Sequence, residues 1–181
     1  MQAAAVQTDH KIQALELSVD PAKFYLEILI ELNETLNDVV GEQESHGLIS
    51  LVADKIGRYF EGMYRHALGM QKFDVDTLAA ILIDLKRRIG GEFYIHDIKP
   101  TRIELKNTRC PFSERVVGQT TLCAMTSNVF GRISADSQGY AAVELSKTIA
   151  RGDGHCHVIV HLDSHQERSD DVIEYFDVSE L

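Results

Sequence analysis

An α+β fold is predicted: three N-terminal helices, then a ββ-α-ββ run whose antiparallel sheet packs against helices. Two features of the 181-residue chain predict it. Apolar residues recur at helical spacing as far as Gly90-Gly91, and beyond that point the period falls to two. One further helical stretch then interrupts the alternation and separates two hairpins.

Each element follows from its own residues. Asp20-Pro21 supplies an N-cap and a proline at the first helical position; Phe24, Tyr25, Ile28, Leu29, Leu32, Leu36 and Val39 then carry one face to a stop near Gly41. Leu48, Leu51, Val52, Ile56, Tyr59, Phe60 and Met63 mark a second helix before Gly69. A third begins at Asp74 or Asp76, carries Leu78, Leu82, Leu85 and Ile89, and stops at Gly90-Gly91. Phe93 to Ile98 and Thr101 to Lys106 alternate on either side of Lys99-Pro100 and read as a hairpin.

Cys110-Pro111 breaks that pattern. Leu122, Thr126, Val129 and Ile133, with Cys123 and Phe130 beside them, predict a fourth helix ending near Gly139. Strands at Tyr140–Ile149 and His155–Leu162 close the domain, and Arg151-Gly152-Asp153-Gly154 turns the chain between them, with Asp153 read as a turn residue. In the last strand Cys156, Val158, Val160 and Leu162 share one face, and His155, His157, Ile159 and His161 share the other.

The chain is long enough for one well-buried core, which predicts an extension over 1–19, one domain over 20–162 and an acidic tail over 163–181. Glu167, Asp170, Asp171, Glu174, Asp177 and Glu180 surround the apolar run Val172 to Phe176, so the tail is expected to be disordered or to dock on a partner surface. A formal charge of −10 opposes direct nucleic-acid binding. The longest basic cluster, Lys86-Arg87-Arg88, reads as a solvated helix end. No Lys or Arg occurs in Met1 to His10 and no long apolar run occurs anywhere, so the expectation is a cytoplasmic protein with no membrane partner and reduced thiols.

The cysteines carry most of the candidate chemistry. Cys110, Cys123 and Cys156 would be the ligands of a metal site, with zinc as the candidate ion and His155 or His157 as a fourth ligand. Against this, no close Cys-x-x-Cys pair is present, and the two histidines point away from Cys156. Core packing is the competing reading for Cys123 and Cys156. Cys110, just ahead of the fourth helix, would be the nucleophile of a Cys-dependent hydrolase if His96, His155 or His157 served as base. Thr126, Ser127 and Asn128 beside Phe130 are candidates for a pocket wall.

At Cys110-Pro111-Phe112, Leu122 to Gly131, Gly139-Tyr140-Ala141 and Gly152-Asp153-Gly154-His155-Cys156, the chain resembles the methanogen output domains. These in turn resemble the 4-vinyl-reductase-type ligand-sensing domains. The resemblance implies a mixed α/β fold, pairing into dimers and a sensory or regulatory output role. It also lends Cys156 more weight than its histidine neighbours. The expected function is a noncatalytic regulatory domain, a homodimer that binds a small hydrophobic ligand or a separate signalling protein. Cys110, Phe112, Cys123, Thr126, Asn128 and Phe130 are its expected ligand-binding residues. A metal- or Cys-dependent hydrolase using Cys110 is the alternative.

Overall fold

The computed structural model describes residues 11–17, 19–165 and 172–177, so Met1 to His10 and Glu167, Asp170, Asp171 and Glu180 of the tail lie outside the described residues. Helix α1 spans Pro21–Val40, α2 Glu42–Leu68, α3 Val75–Arg88 and α4 Cys123–Gln138. Strands β1 (Phe93–Lys99), β2 (Arg102–Asn107), β3 (Tyr140–Lys147), β4 (Cys156–His161) and β5 (Ile173–Phe176) form one antiparallel sheet in the order β1-β2-β4-β3-β5.

The helix starts use the expected side chains. The Asp20 carboxylate accepts from Lys23 N at 2.9 Å, and that of Asp74 accepts from Thr77 N at 2.8 Å; each satisfies a backbone donor with no intrahelical partner. Gly69, at φ 65°, closes α2 in the left-handed conformation that a side chain would disfavour.

The core lies between the sheet and the pair α3 and α4. Ile103 and Leu105 of β2, Val143 of β3, and Val158 and Val160 of β4 face Leu78, Leu82, Leu85, Phe130 and Ile133. Burying a side chain such as Leu82 contributes roughly 1.5–3 kcal/mol. Behind this layer α2 crosses α4 closely at Gly57, where an added Cβ would stand 3.1 Å from Arg132 Cβ. The outermost helix, α1, is fixed by polar contacts. Asn33, fully buried, donates to Gln119 Oε1 at 2.7 Å and accepts from Thr121 Oγ1 at 2.8 Å.

Three features differ from the sequence expectation. β3 ends at Lys147 rather than at residue 149, because Thr148 begins a turn in which its N–H donates to Asp153 Oδ2 at 2.8 Å and Ile149–Arg151 form a 3₁₀ turn. Within the tail, Ile173–Phe176 pair with β3 as the fifth strand of the domain's own sheet. Tyr175 packs into the core there, and Arg132 Nη1 donates to Phe176 O at 2.8 Å. The third difference is Lys86, which the sequence places on a solvated helix end. Arg87 and Arg88 are exposed as expected, but Lys86 is only 4% exposed because it sits four residues after Leu82 on the inward face of α3.

A cysteine cavity and an apolar pocket joined by Lys86

The end of β2, the break at 110–112, the first turn of α4 and the start of β4 meet at one place. They bring Cys110, Cys123 and Cys156 into the wall of a single cavity of about 20 Å³, with Asn107, Phe112 and Thr126. That volume is about what one water molecule needs. Cys156 Sγ accepts weak hydrogen bonds from Ile149 N at 3.4 Å and Asn107 Nδ2 at 3.8 Å. Burial first, then the neighbouring Cys156 and Cys110, push the Cys123 thiol up to about 11, against the lowering influence of Thr148 and Arg151. Burial raises Cys110 as well, with Lys86 acting in the opposite sense.

Lys86 is a buried charged group close to this trio. Its Nζ donates to Thr126 Oγ1 at 2.8 Å and lies 5.6 Å and 5.1 Å from the ring centroids of Phe93 and Phe130. Burial lowers its pKa to about 8, and Cys110, Cys156 and Cys123 oppose that shift. Lys86 also forms part of the wall of a second, larger cavity of about 310 Å³. Tyr25, Leu26 and Leu29 of α1, Ile56 and Phe60 of α2, Leu85 of α3 and Ile89 just after it, and Met125 and Val129 of α4 line that wall as well. Pro111 and Phe112 belong to both cavities and form the partition.

Of the six expected ligand-binding residues, Cys110, Phe112, Cys123 and Thr126 line the cysteine cavity. Asn128 instead donates to Ser50 Oγ at 3.1 Å and to Ala124 O at 2.9 Å, which ties α4 to α2 and to its own preceding turn. Phe130 is fully buried edge-on to Phe93, behind the Lys86 ammonium. Three adjacent polar residues thus point three ways, because Ser127 reaches the Tyr175 hydroxyl at 3.0 Å.

The three cysteines expected as metal ligands are in one wall, but among the described residues no group of three Cys, His, Asp or Glu side chains could hold a metal ion. Neither His155 nor His157 joins that wall; His157 lies 3.2 Å from Glu104 and edge-on to His96. No described helix is long and apolar enough to cross a membrane.

Sequence reasoning missed Lys86. The available signal was its spacing, four residues from Leu82 and eight from Leu78, which continues the apolar stripe.

This architecture places the protein in a class of α+β domains represented among solved structures. It is similar to the phenol-responsive sensory domain of the transcription activator PoxR, solved with phenol, at 13% identity and a TM-score of 0.63 over 75% of this chain and 73% of that one. It is also similar to trafficking protein particle complex subunit 3 from Naegleria fowleri, solved covalently bound to palmitic acid. That match has 14% identity and a TM-score of 0.52 over 81% of this chain and 99% of that one. No curated protein sequence matches. The chain belongs to the methanogen output domain 1 family, whose model matches residues 28–161.

Proposed function

We propose that this chain is a noncatalytic signalling domain that binds a small hydrophobic ligand, acts as a homodimer and passes its state to a separate signalling protein in the cytoplasm. The observation that carries this reading is the apolar pocket of about 310 Å³, to which all four helices contribute. Two proteins of similar fold, the PoxR domain and the trafficking subunit, hold phenol and palmitic acid, which supports a largely apolar ligand here.

Other features weigh against the hydrolase. A thiol nucleophile needs a lowered pKa and a base within reach. Burial raises Cys110 and Cys123 instead, and no histidine lines the cavity that holds both; His46 shares a different pocket with Cys123 alone. Zinc would require thiols whose burial favours the neutral form to ionise, and a fourth ligand that the cavity wall does not offer. The dimer reading rests on Phe24, Tyr25, Ile28 and Leu32 of α1 and Leu48, Leu51, Val52, Tyr59 and Met63 of α2, all exposed.

Native mass spectrometry of the protein as purified, compared with its denatured mass, tests the reading. An organic mass released on denaturation is the expected result. One zinc per chain would replace the reading with a metal site. An empty protein that no hydrophobic compound stabilises against heat would refute ligand binding.

A further inference from the structure

Four Asp, Glu, Lys or Arg side chains are buried among the described residues: Glu61, Lys86, Arg132 and Asp136. Three of them belong to one ion network between α2 and α4. Arg132 contacts Asp54 at 2.7 Å and Asp136 at 3.0 Å, and Glu61 contacts Arg65 at 2.7 Å. Lys86 is the exception. Its one hydrogen bond goes to a neutral hydroxyl, and no carboxylate of the described residues pairs with it. A buried cation without a counter-charge is costly. The faces of Phe93 and Phe130 compensate in part, and Cys110 and Cys123, whose burial favours the neutral thiol, do not supply the anion.

The position of Lys86 gives this unbalanced charge a use. Lys86 is part of the apolar pocket wall, and its Nζ donates to Thr126, which lines the neighbouring cysteine cavity. Because Thr126 Oγ1 accepts from Lys86, its own proton is free to donate. An ammonium and a hydroxyl donor 2.8 Å apart match the two oxygens of a carboxylate. At about 310 Å³ the pocket has room for roughly ten heavy atoms, taking ~30 Å³ for each as for a water molecule.

We propose that the pocket takes a small hydrophobic carboxylate, its apolar body among the four helices and its carboxylate on Lys86 Nζ and Thr126 Oγ1. The inference rests on the ligand-binding reading above and specifies its head group. The ligand's anion neutralises Lys86 without a compensating change elsewhere in the core. A neutral hydrophobe of the same body gains the apolar burial but leaves the ammonium as it was.

Isothermal titration of the whole chain with decanoate and with decan-1-ol at pH 7 tests this. Decanoate is expected to bind roughly ten- to a hundred-fold more tightly, the range of a hydrogen bond to a charged group. Lys86→Met should abolish that preference while keeping decan-1-ol binding, and replacing an unpaired buried charge by an apolar side chain should leave the melting temperature equal or higher. Thr126→Val, which keeps the charge, should weaken decanoate several-fold. Raising the pH from 7 to 9.5 should weaken decanoate about ten-fold or more in the wild type as Lys86 loses its proton; the side chains around it are Thr126, Phe93, Phe130 and the three thiols. Equal affinity for decanoate and decan-1-ol would overturn the carboxylate and leave a sensor of neutral hydrophobes standing. Failure of decanoate to bind, or undiminished binding by a folded Lys86→Met protein, would overturn it as well.

Discussion

A methyl group at Gly131 tests whether the tail strand belongs to the folded unit. Gly131 lies on the inward side of α4, and a Cβ built there would stand 2.1 Å from Tyr175 Cδ2 and Cε2 and 2.6 Å from Cγ. Carbon atoms rest about 3.5–4.0 Å apart, so the ring would have to move by more than about 1 Å. It has little room to do so. Tyr175 is 5% exposed, its hydroxyl lies 3.0 Å from Ser127 Oγ, and its backbone is in register with Ala141 of β3.

Overpacking of this kind costs about 1–3 kcal/mol and a lost hydrogen bond about 1 kcal/mol, offset by up to about 1 kcal/mol because alanine is the better helix former. The expected net loss for Gly131→Ala is about 1–3 kcal/mol, or roughly 2–12 °C in Tm for a chain of this length. The decisive measurement is a double-mutant cycle by urea denaturation, followed by far-UV circular dichroism because the chain has no tryptophan. With Tyr175→Ala as background the obstructing ring is gone, and Gly131→Ala should be neutral or stabilising by up to about 1 kcal/mol. An equal loss in both backgrounds, or no loss in the wild type, would refute the packing of β5 on α4.

Three further expectations follow from the charges and exposed faces. Iodoacetamide should label the native cysteines at pH 7.5 at least about ten-fold more slowly than the unfolded chain, since burial raises Cys110 and takes Cys123 to about 11; rapid labelling of Cys110 would revive the nucleophile. Burial first and Asp136 second push Glu61 up to about 7 from 4.5, so the stability it lends is present below about pH 4.5 and lost as the pH rises through 7. Glu61→Gln should therefore gain on the wild type by about 1–3 kcal/mol between pH 5 and 8 in urea melts, and a constant difference would contradict the shifted carboxyl. Light scattering should give twice the chain mass at micromolar concentration, and Leu51→Glu with Tyr59→Glu should halve it; a wild-type monomer would remove the homodimer.

The helices were legible because each carries its own punctuation. Asp20-Pro21, Asp74, Gly41 and Gly69 fix ends through local hydrogen bonds and backbone preference, which need no knowledge of the rest of the chain. The two hairpins were legible for the same reason. The place of β5 was not, because Ile173–Phe176 is short, lies among acids and finds β3 only after α4 has set Tyr175 its slot beside Gly131. At the candidate site, Cys110, Phe112, Cys123 and Thr126 share one cavity wall, whereas Asn128 and Phe130 lie outside it. A helix turns about 100° per residue, so Asn128, two residues on, serves a different face from Thr126, whereas Phe130, four residues on, shares that face but lies one turn away, in the core behind the Lys86 ammonium. Lys86 was misread because residue type outweighed periodicity: three consecutive cations suggest solvent, although only Arg87 and Arg88 reach it.

The same geometry gives α1 a particular position in the proposed signalling. Tyr25, itself exposed, lines the pocket with Leu26 and Leu29, while Ile28 and Leu32 beside it on α1 are exposed. The proposed ligand and the proposed dimer surface therefore adjoin along α1 and share Tyr25. Beneath it the cavities share Pro111 and Phe112, and the loop that follows carries Gln119 and Thr121, which hold the buried Asn33 of α1. A ligand that displaces Phe112 would thus act on α1 twice, directly at Leu26 and Leu29 and through this loop at Asn33. Only a ligand that binds two arrangements of α1 with different affinity can shift their populations. A head group fixed on Lys86 and a body against α1 would give a carboxylate that differential contact.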